Sequence, residues 1–174
     1  MKTRIYIDFD GVIQETWSVI FQNYCFKYNA TIINDVDLRQ SMLDMGWNNI
    51  LEKSEEINNA YNKIYHLMDK YEIFILTKIN SKEEQEAKKI FLNEKKISNI
   101  IFVPYDARKN DFVNSHNCVL IDDEIYNLEE WEQSGGIAIL FNRYMKNIDS
   151  YGNSSDKFVI IDDLMKICDI IENS

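Results

Sequence analysis

Two carboxylates spaced i, i+2 and followed by a glycine, Asp8-Phe9-Asp10-Gly11-Val12, are the residues of this chain best placed to do chemistry. They end an apolar run, Ile5-Tyr6-Ile7, that reads as a buried strand. Side chains two apart on a strand face the same side, so Asp8 and Asp10 leave its carboxyl end together, and Gly11 lets the backbone turn there. Asp and Gly also end strands for purely structural reasons. Three more strand ends carry polar groups. Thr77 follows Ile73-Phe74-Ile75-Leu76, Arg108 and Lys109 come after the apolar stretch 100–103, and Asp122-Asp123 closes Cys118-Val119-Leu120-Ile121. In a parallel sheet these ends face one crevice. Carboxylates gathered there repel one another unless they share a cation. Hard oxygen donors of this kind suit Mg2+. A lysine and a hydroxyl aimed at the same point suit a phosphoryl group.

The elements that must position these groups follow from hydrophobic period. Residues 4–9 predict the first strand. Trp17, Ile20, Phe21, Tyr24, Cys25 and Tyr28 then form one helical stripe, which Thr31-Ile32-Ile33-Asn34 breaks. Asp35 is placed to cap a second helix carrying Leu38, Met42 and Met45 that stops near Gly46. A third opens at Ser54, with Ile57, Tyr61, Ile64 and Met68 on one face. A helical block this long exceeds a plain crossover between strands. It predicts a small helical cap over residues 14–68, its last helix returning to the sheet, on a core of residues 1–13 and 69–174. In the core, a strand over 72–77 precedes a charged helix that Ser81 and Glu84 open as a capping box. Strands over 100–103, 118–121, 137–141 and 158–161 alternate with a helix over 125–131, stopped by Gly135-Gly136, and a final helix to 171 capped by Asp162. Residues 142–156 read as polar loop. The expected fold class is α/β: a Rossmann-like, mainly parallel sheet with helices on both faces and the cap inserted after the first strand.

Composition narrows the function. The chain has 174 residues, 45% of them apolar, which suits one domain with an insertion and a real core. A net charge of −10 argues against an electrostatic face for a nucleic-acid polymer, so a phosphorylated substrate needs a local cation. Cys25, Cys118 and Cys168 lie far apart among apolar residues, without a CxxC pair, and are expected to be reduced core thiols. Met1-Lys2-Thr3-Arg4 leads directly into the first strand, so no signal peptide is expected, and no run approaches a membrane span of about 20 residues. The expected setting is the cytoplasm and the expected partner a small soluble phosphate ester.

Taken in order, these residues resemble the haloacid dehalogenase superfamily of phosphatases and phosphotransferases. Its DxDGV motif is matched by Asp8-Phe9-Asp10-Gly11-Val12, its strand-ending Thr or Ser by Thr77, its lysine by Lys109 and its acidic pair by Asp122-Asp123. The Leu120-Ile121-Asp122-Asp123 run and the later Gly135-Gly136-Ile137-Ala138-Ile139-Leu140-Phe141-Asn142 are similar to 5'(3')-deoxyribonucleotidases, although Thr77-Lys78-Ile79-Asn80 lacks the proline those relatives often carry. The resemblance implies that Asp8 is a nucleophile and Asp10 an acid/base. It implies that Thr77 and Lys109 bind the phosphoryl group. Mg2+ would be held by Asp8, the Asp10 backbone carbonyl and Asp122, with Asp123 in support. Arg108, Lys78 and Lys82 compete with Lys109 for the phosphate. Glu124 reads as a helix cap, and Asn127 as a surface residue or a support of the metal ligands. His66 and His116 read as structural and exposed, and Asp162-Asp163 as a cap. Phosphotransfer between substrates and a non-catalytic phosphate- or metal-binding module are the alternatives.

Overall fold

The computed structural model describes residues 2–29, 34–143 and 157–172. The first strand, β1 (Arg4–Ile7), is followed by four helices, α1 (Thr16–Tyr28), α2 (Asp35–Met45), α3 (Trp47–Lys53) and α4 (Ala60–Lys70). Then come β2 (Glu72–Ile79), α5 (Lys82–Glu94), β3 (Ile100–Pro104), β4 (Val119–Asp122), α6 (Ile125–Gln133), β5 (Ile137–Phe141), β6 (Val159–Ile161) and α7 (Ile167–Glu172). The six strands form one parallel sheet in the order β3-β2-β1-β4-β5-β6. This is the expected Rossmann-like class. The chain runs outward from β1 through β2 to β3 and then returns to the other side of β1 as β4. The crevice at that reversal lies over the carboxyl ends of β1 and β4.

Alternation along the strands divides the core. Ile5 and Ile7 face one side with Ile73, Ile75 and Ile121, where Ile64 of α4 and Leu92 of α5 cover them. Tyr6 faces the other with Leu76, Leu120 and Leu140, beneath Leu128 and Trp131 of α6. The Trp131 indole N–H donates to the Cys118 carbonyl at 3.1 Å, so its polar edge is satisfied inside the core. Burial on both faces explains why the strands read as unbroken apolar runs. Helices α1, α2 and α3 pack on one another, α3 also lies against α5, and α4 packs on β2.

Local details differ from the pattern-based expectation. Helix α3 falls inside the stretch expected to be helical but was not given bounds of its own; two turns are too short for a period to register, and Gly46, at φ +74°, separates it from α2. Asn34 caps α2 instead of Asp35, its Oδ1 accepting from the N–H groups of Val36 (3.0 Å) and Asp37 (3.2 Å). Helix α4 starts at Ala60, because Asn58 and Asn59 adopt left-handed φ of +48° and +61°. Ile57 is buried ahead of it, its N–H donating to the Ile13 carbonyl at 2.9 Å. At the start of α5 the capping box is half made: Ser81 Oγ accepts from Glu84 N–H at 3.1 Å, while the Glu84 carboxylate accepts from Asn80 N–H at 2.8 Å. Near the C-terminus Asp163, not Asp162, supplies the cap, to a 3-10 turn over Leu164–Lys166 that precedes α7. Cys25 is exposed, contrary to the expected core thiol; it falls on the solvent side of α1. The expected helix break at 31–33 and most of the expected polar loop, 144–156, lie outside the described residues.

Candidate active site

The end of β1 is tied to β4 by the Asp8 N–H, which donates to the Ile121 carbonyl at 2.9 Å. That bond sets the Asp8 and Asp122 side chains beside each other. Lys109 rises between them from a 3-10 turn, Lys109–Asp111, that follows β3. Its Nζ donates to Asp8 Oδ1 at 2.7 Å and to Asp122 Oδ2 at 2.6 Å. All three groups are buried. Asp122 is held from the other side: its Oδ1 accepts from Glu124 N–H at 2.9 Å, and Asn127 Nδ2 donates to both carboxylate oxygens at 3.2 and 3.1 Å. Asp123 completes the acidic group, so that Asp8, Asp122 and Asp123 offer oxygens that all lie within 4.8 Å of one another. Gly11 makes room for it. Its φ is +76°, and a Cβ there would stand 2.1 Å from Asp123 Oδ2.

Burial of so many charges perturbs them. Burial first, against the pull of Lys109 and with the push of Asp122 and Asp10, raises the Asp8 carboxyl from 3.8 to about 7. Burial and then Asp122 and Asp8 push the Asp123 carboxyl well above its ordinary range. Burial alone would lower the Lys109 ammonium, but Asp122 and Asp8 outweigh it and hold it charged. Burial and then Lys109 lower Lys78. Lys109 balances one of the three clustered carboxylates. Hard oxygen donors with surplus negative charge fit a divalent cation of the Mg2+ kind.

Asp10 belongs to a second, adjoining network. Its Oδ1 accepts from Thr16 Oγ1 at 2.7 Å, and its Oδ2 from Lys88 Nζ at 2.5 Å and from Thr77 Oγ1 at 3.4 Å. Lys88 also pairs with Glu84 Oε1 at 2.7 Å. Burial and the Lys88 cation oppose each other at Glu84, and burial prevails, raising its carboxyl. The sequence reading missed Lys88 and read Glu84 only as part of a capping box. A signal was present: Glu84, Ala87, Lys88, Phe91 and Leu92 follow the i, i+3, i+4, i+7, i+8 stripe of α5, so two ionisable residues occupy core-facing positions.

The structure therefore brings Asp8, Asp10, Thr77, Lys109, Asp122 and Asp123 to one sheet edge. Thr77 is fully buried beneath Asp10, while the others, Asp122 apart, line a cavity of about 170 Å³. Of the competing cations, Arg108 pairs with Glu130 at 3.2 Å on the surface, and Lys82 is exposed. Lys78 lines the cavity with its ammonium 4.6 Å from the Tyr126 ring centre. Asn127 is buried rather than on the surface, because the first turn of α6 folds it under Asp122. Glu124 stands at the N-cap position without a side-chain capping bond. His66 and His116 are exposed, and His66 Nδ1 bonds the Asn62 carbonyl at 2.7 Å. A second cavity of about 250 Å³ continues the first, sharing Trp17, Met42, Trp47, Asn80 and Tyr105 with it.

The parallel sheet of this order with helices inserted after β1 is a haloacid dehalogenase-like α/β fold, shared over nearly the whole chain with the solved structures it is similar to. The chain is similar to a predicted phosphatase from Clostridium acetobutylicum, with TM-score 0.73, 10% identity and 100% of both chains covered. It is also similar to a haloacid dehalogenase-like family hydrolase from Streptococcus pneumoniae, with TM-score 0.70, 10% identity and 98% of each chain covered. A HAD hydrolase from Bacillus subtilis, whose structure has magnesium bound, aligns with TM-score 0.65 and 13% identity over 98% of each chain. No protein-family model and no curated protein matches the sequence. At these identities the likeness is one of fold.

Proposed function

We propose that the protein is a Mg2+-dependent phosphomonoesterase of small soluble substrates that works through an aspartyl-phosphate. The observation that carries this reading is the buried Asp8–Lys109–Asp122 triangle with Asp123 beside it, at the sheet reversal where such folds bind ligands. Asp8 attacks phosphorus and forms the covalent intermediate. Asp10, held apart from the metal-type cluster by its own network, protonates the leaving oxygen and later takes a proton from the hydrolytic water. Lys109 supplies positive charge to the transferring group in a water-poor site, and the Thr77 hydroxyl lies next to Asp10 on the same side. A Mg2+ held by Asp8, the Asp10 carbonyl and Asp122, with Asp123 nearby, would neutralise charge on the phosphoryl oxygens.

Helices α1–α3 are proposed to act as a cap, since Trp17, Met42 and Trp47 form the outer walls of both cavities. Aromatic walls of this kind also favour a substrate with a flat ring, which supports the nucleotidase-like branch as the finer reading. Free thiols at Cys25, Cys118 and Cys168 are in keeping with a reducing compartment.

The test is Mg2+-dependent phosphate release from p-nitrophenyl phosphate. Asp8→Asn is expected to lower turnover by ~10³-fold or more. Full activity in that variant overturns the mechanism. Nucleotides tested beside sugar phosphates and small organic phosphates decide the finer reading.

A further inference from the structure

Lys88 lies outside every motif by which the site was recognised. It stands on α5 with none of its side chain exposed. Its Nζ donates to Asp10 Oδ2 at 2.5 Å, to Glu84 Oε1 at 2.7 Å and to Thr77 Oγ1 at 3.2 Å. The Trp47 ring centre lies 4.8 Å from the ammonium and that of Phe9 5.4 Å. Packing on the sheet does not call for a cation at this place; an aliphatic side chain would fill the space without the desolvation cost. What the ammonium adds is a charge-assisted bond on one chosen oxygen of Asp10. Glu84 in turn accepts from the Asn80 N–H at 2.8 Å, so the lysine is anchored to the loop after β2 as well as to its own helix.

We infer that Lys88 is the positioning residue of Asp10, a role that rests on the phosphomonoesterase reading above. With Oδ2 occupied by an ammonium that offers N–H donors only, the exchangeable proton is confined to Oδ1. The neighbour of Oδ1 is the Thr16 hydroxyl, 2.7 Å away, which can donate or accept as that proton comes and goes. In the first half-reaction an Asp8 oxygen bonds to phosphorus, the bond from phosphorus to the leaving oxygen breaks, and the Oδ1 proton passes to that oxygen to give the alcohol. In the second, Asp10 Oδ1 takes a proton from the water whose oxygen attacks phosphorus, and the bond to Asp8 breaks to release phosphate. Lys88 keeps its protons throughout. Each aspartate of the motif thus has its own buried lysine: Lys109 serves Asp8 and Lys88 serves Asp10.

The experiment compares two esters in Lys88→Met, which keeps an unbranched side chain one atom shorter and removes its charge. p-Nitrophenyl phosphate needs no proton on its leaving group, whereas 2-phenylethyl phosphate does. The expected result is a fall in kcat/KM on the order of 100-fold for the alkyl ester, within the range supplied by a positioned acid, and of less than about fivefold for the nitrophenyl ester. Glu84→Gln leaves the lysine in place but loosens it, and is expected to show the same split at about a tenth of the size. If Lys88→Met fails to fold by circular dichroism, Glu84→Gln alone decides. Equal losses on the two esters in the folded variants overturn the inference and leave the phosphomonoesterase reading standing. A wild-type protein that splits only the nitrophenyl ester has no working acid and overturns it also. A wild-type protein that splits neither ester overturns both readings.

Discussion

Asp8 and Asp10 are two residues apart and face the same crevice, yet their surroundings differ. Asp8 shares Lys109 with Asp122 and stands among carboxylates, whereas Asp10 is bonded by a hydroxyl on one oxygen and an ammonium on the other. In the proposed mechanism, this difference in hydrogen-bond partners separates the nucleophile from the acid/base. The support for Asp122 is equally specific. Asn127 Nδ2 donates to both of its oxygens, and the Asn127 Oδ1 atom is buried without a partner, so the residue serves the site through its amide N–H. Asn127→Ala is expected to weaken Mg2+ binding by roughly 10- to 100-fold, as loss of a ligand-orienting partner does. Isothermal titration with Mg2+ measures this; an unchanged affinity would place the metal elsewhere.

At the scale of elements, α5 has two jobs that meet on one face. Ala87 and Leu92 pack on the sheet, and between them Lys88 carries charge to Asp10. Helix α4 packs through Ile64 and Leu67, both fully buried in the core. Ile64→Ala is expected to destabilise the protein by about 2–5 kcal/mol, because the site lies within a closed core and cannot collapse freely. Ser81→Ala removes one capping bond of α5 and is expected to cost about 1 kcal/mol. Chemical denaturation ranks the two, and a larger loss for Ser81→Ala would contradict the packing described. The long elements were legible because their period ran for several turns. The bounds of α3 were not, since Trp47, Ile50 and Leu51 take their buried places from contacts with α1, α2 and α5. The start of α4 was misplaced because Asn58 and Asn59 bend the chain by conformation rather than by hydrophobic pattern.

For the molecule as a whole, the buried acidic cluster makes stability depend on pH. The Asp8 carboxyl titrates near 3.8 in the unfolded chain and at about 7 in the folded one. Between those values the folded protein keeps a proton that the unfolded chain has lost. Its stability therefore falls as pH rises across that window. Asp123, raised in the same direction, adds to the trend. In metal-free protein, Tm is expected to decline from pH 5 to pH 7.5. A Mg2+ ion held as proposed would bind the ionised carboxylates of the folded state, so it is expected to raise Tm more at pH 7.5 than at pH 5, by linkage. Differential scanning calorimetry at the two pH values, with and without Mg2+, measures both effects. A Tm that rises with pH in the metal-free protein would show that the cluster does not carry this charge.

The sequence by itself determined the α/β class, the parallel strands and the helical stretch after β1, because hydrophobic period and position along the chain carry that information directly. Position after a strand offered both Arg108 and Lys109, and resemblance preferred Lys109; in the tertiary structure Lys109 is buried between Asp8 and Asp122 while Arg108 turns outward to Glu130. Lys88 and Glu84 had to wait for the fold. A charged residue on a helix reads as solvated until the sheet beneath it is known, and here α5 lays its Glu84–Lys88 pair against Asp10. Asn127 moved from the surface to the floor of the site for the same reason, as the first turn of α6 closes over Asp122. Chemistry written in strand ends is local to the chain. The groups that orient it come from helices far along the sequence, and only packing brings them within a hydrogen bond.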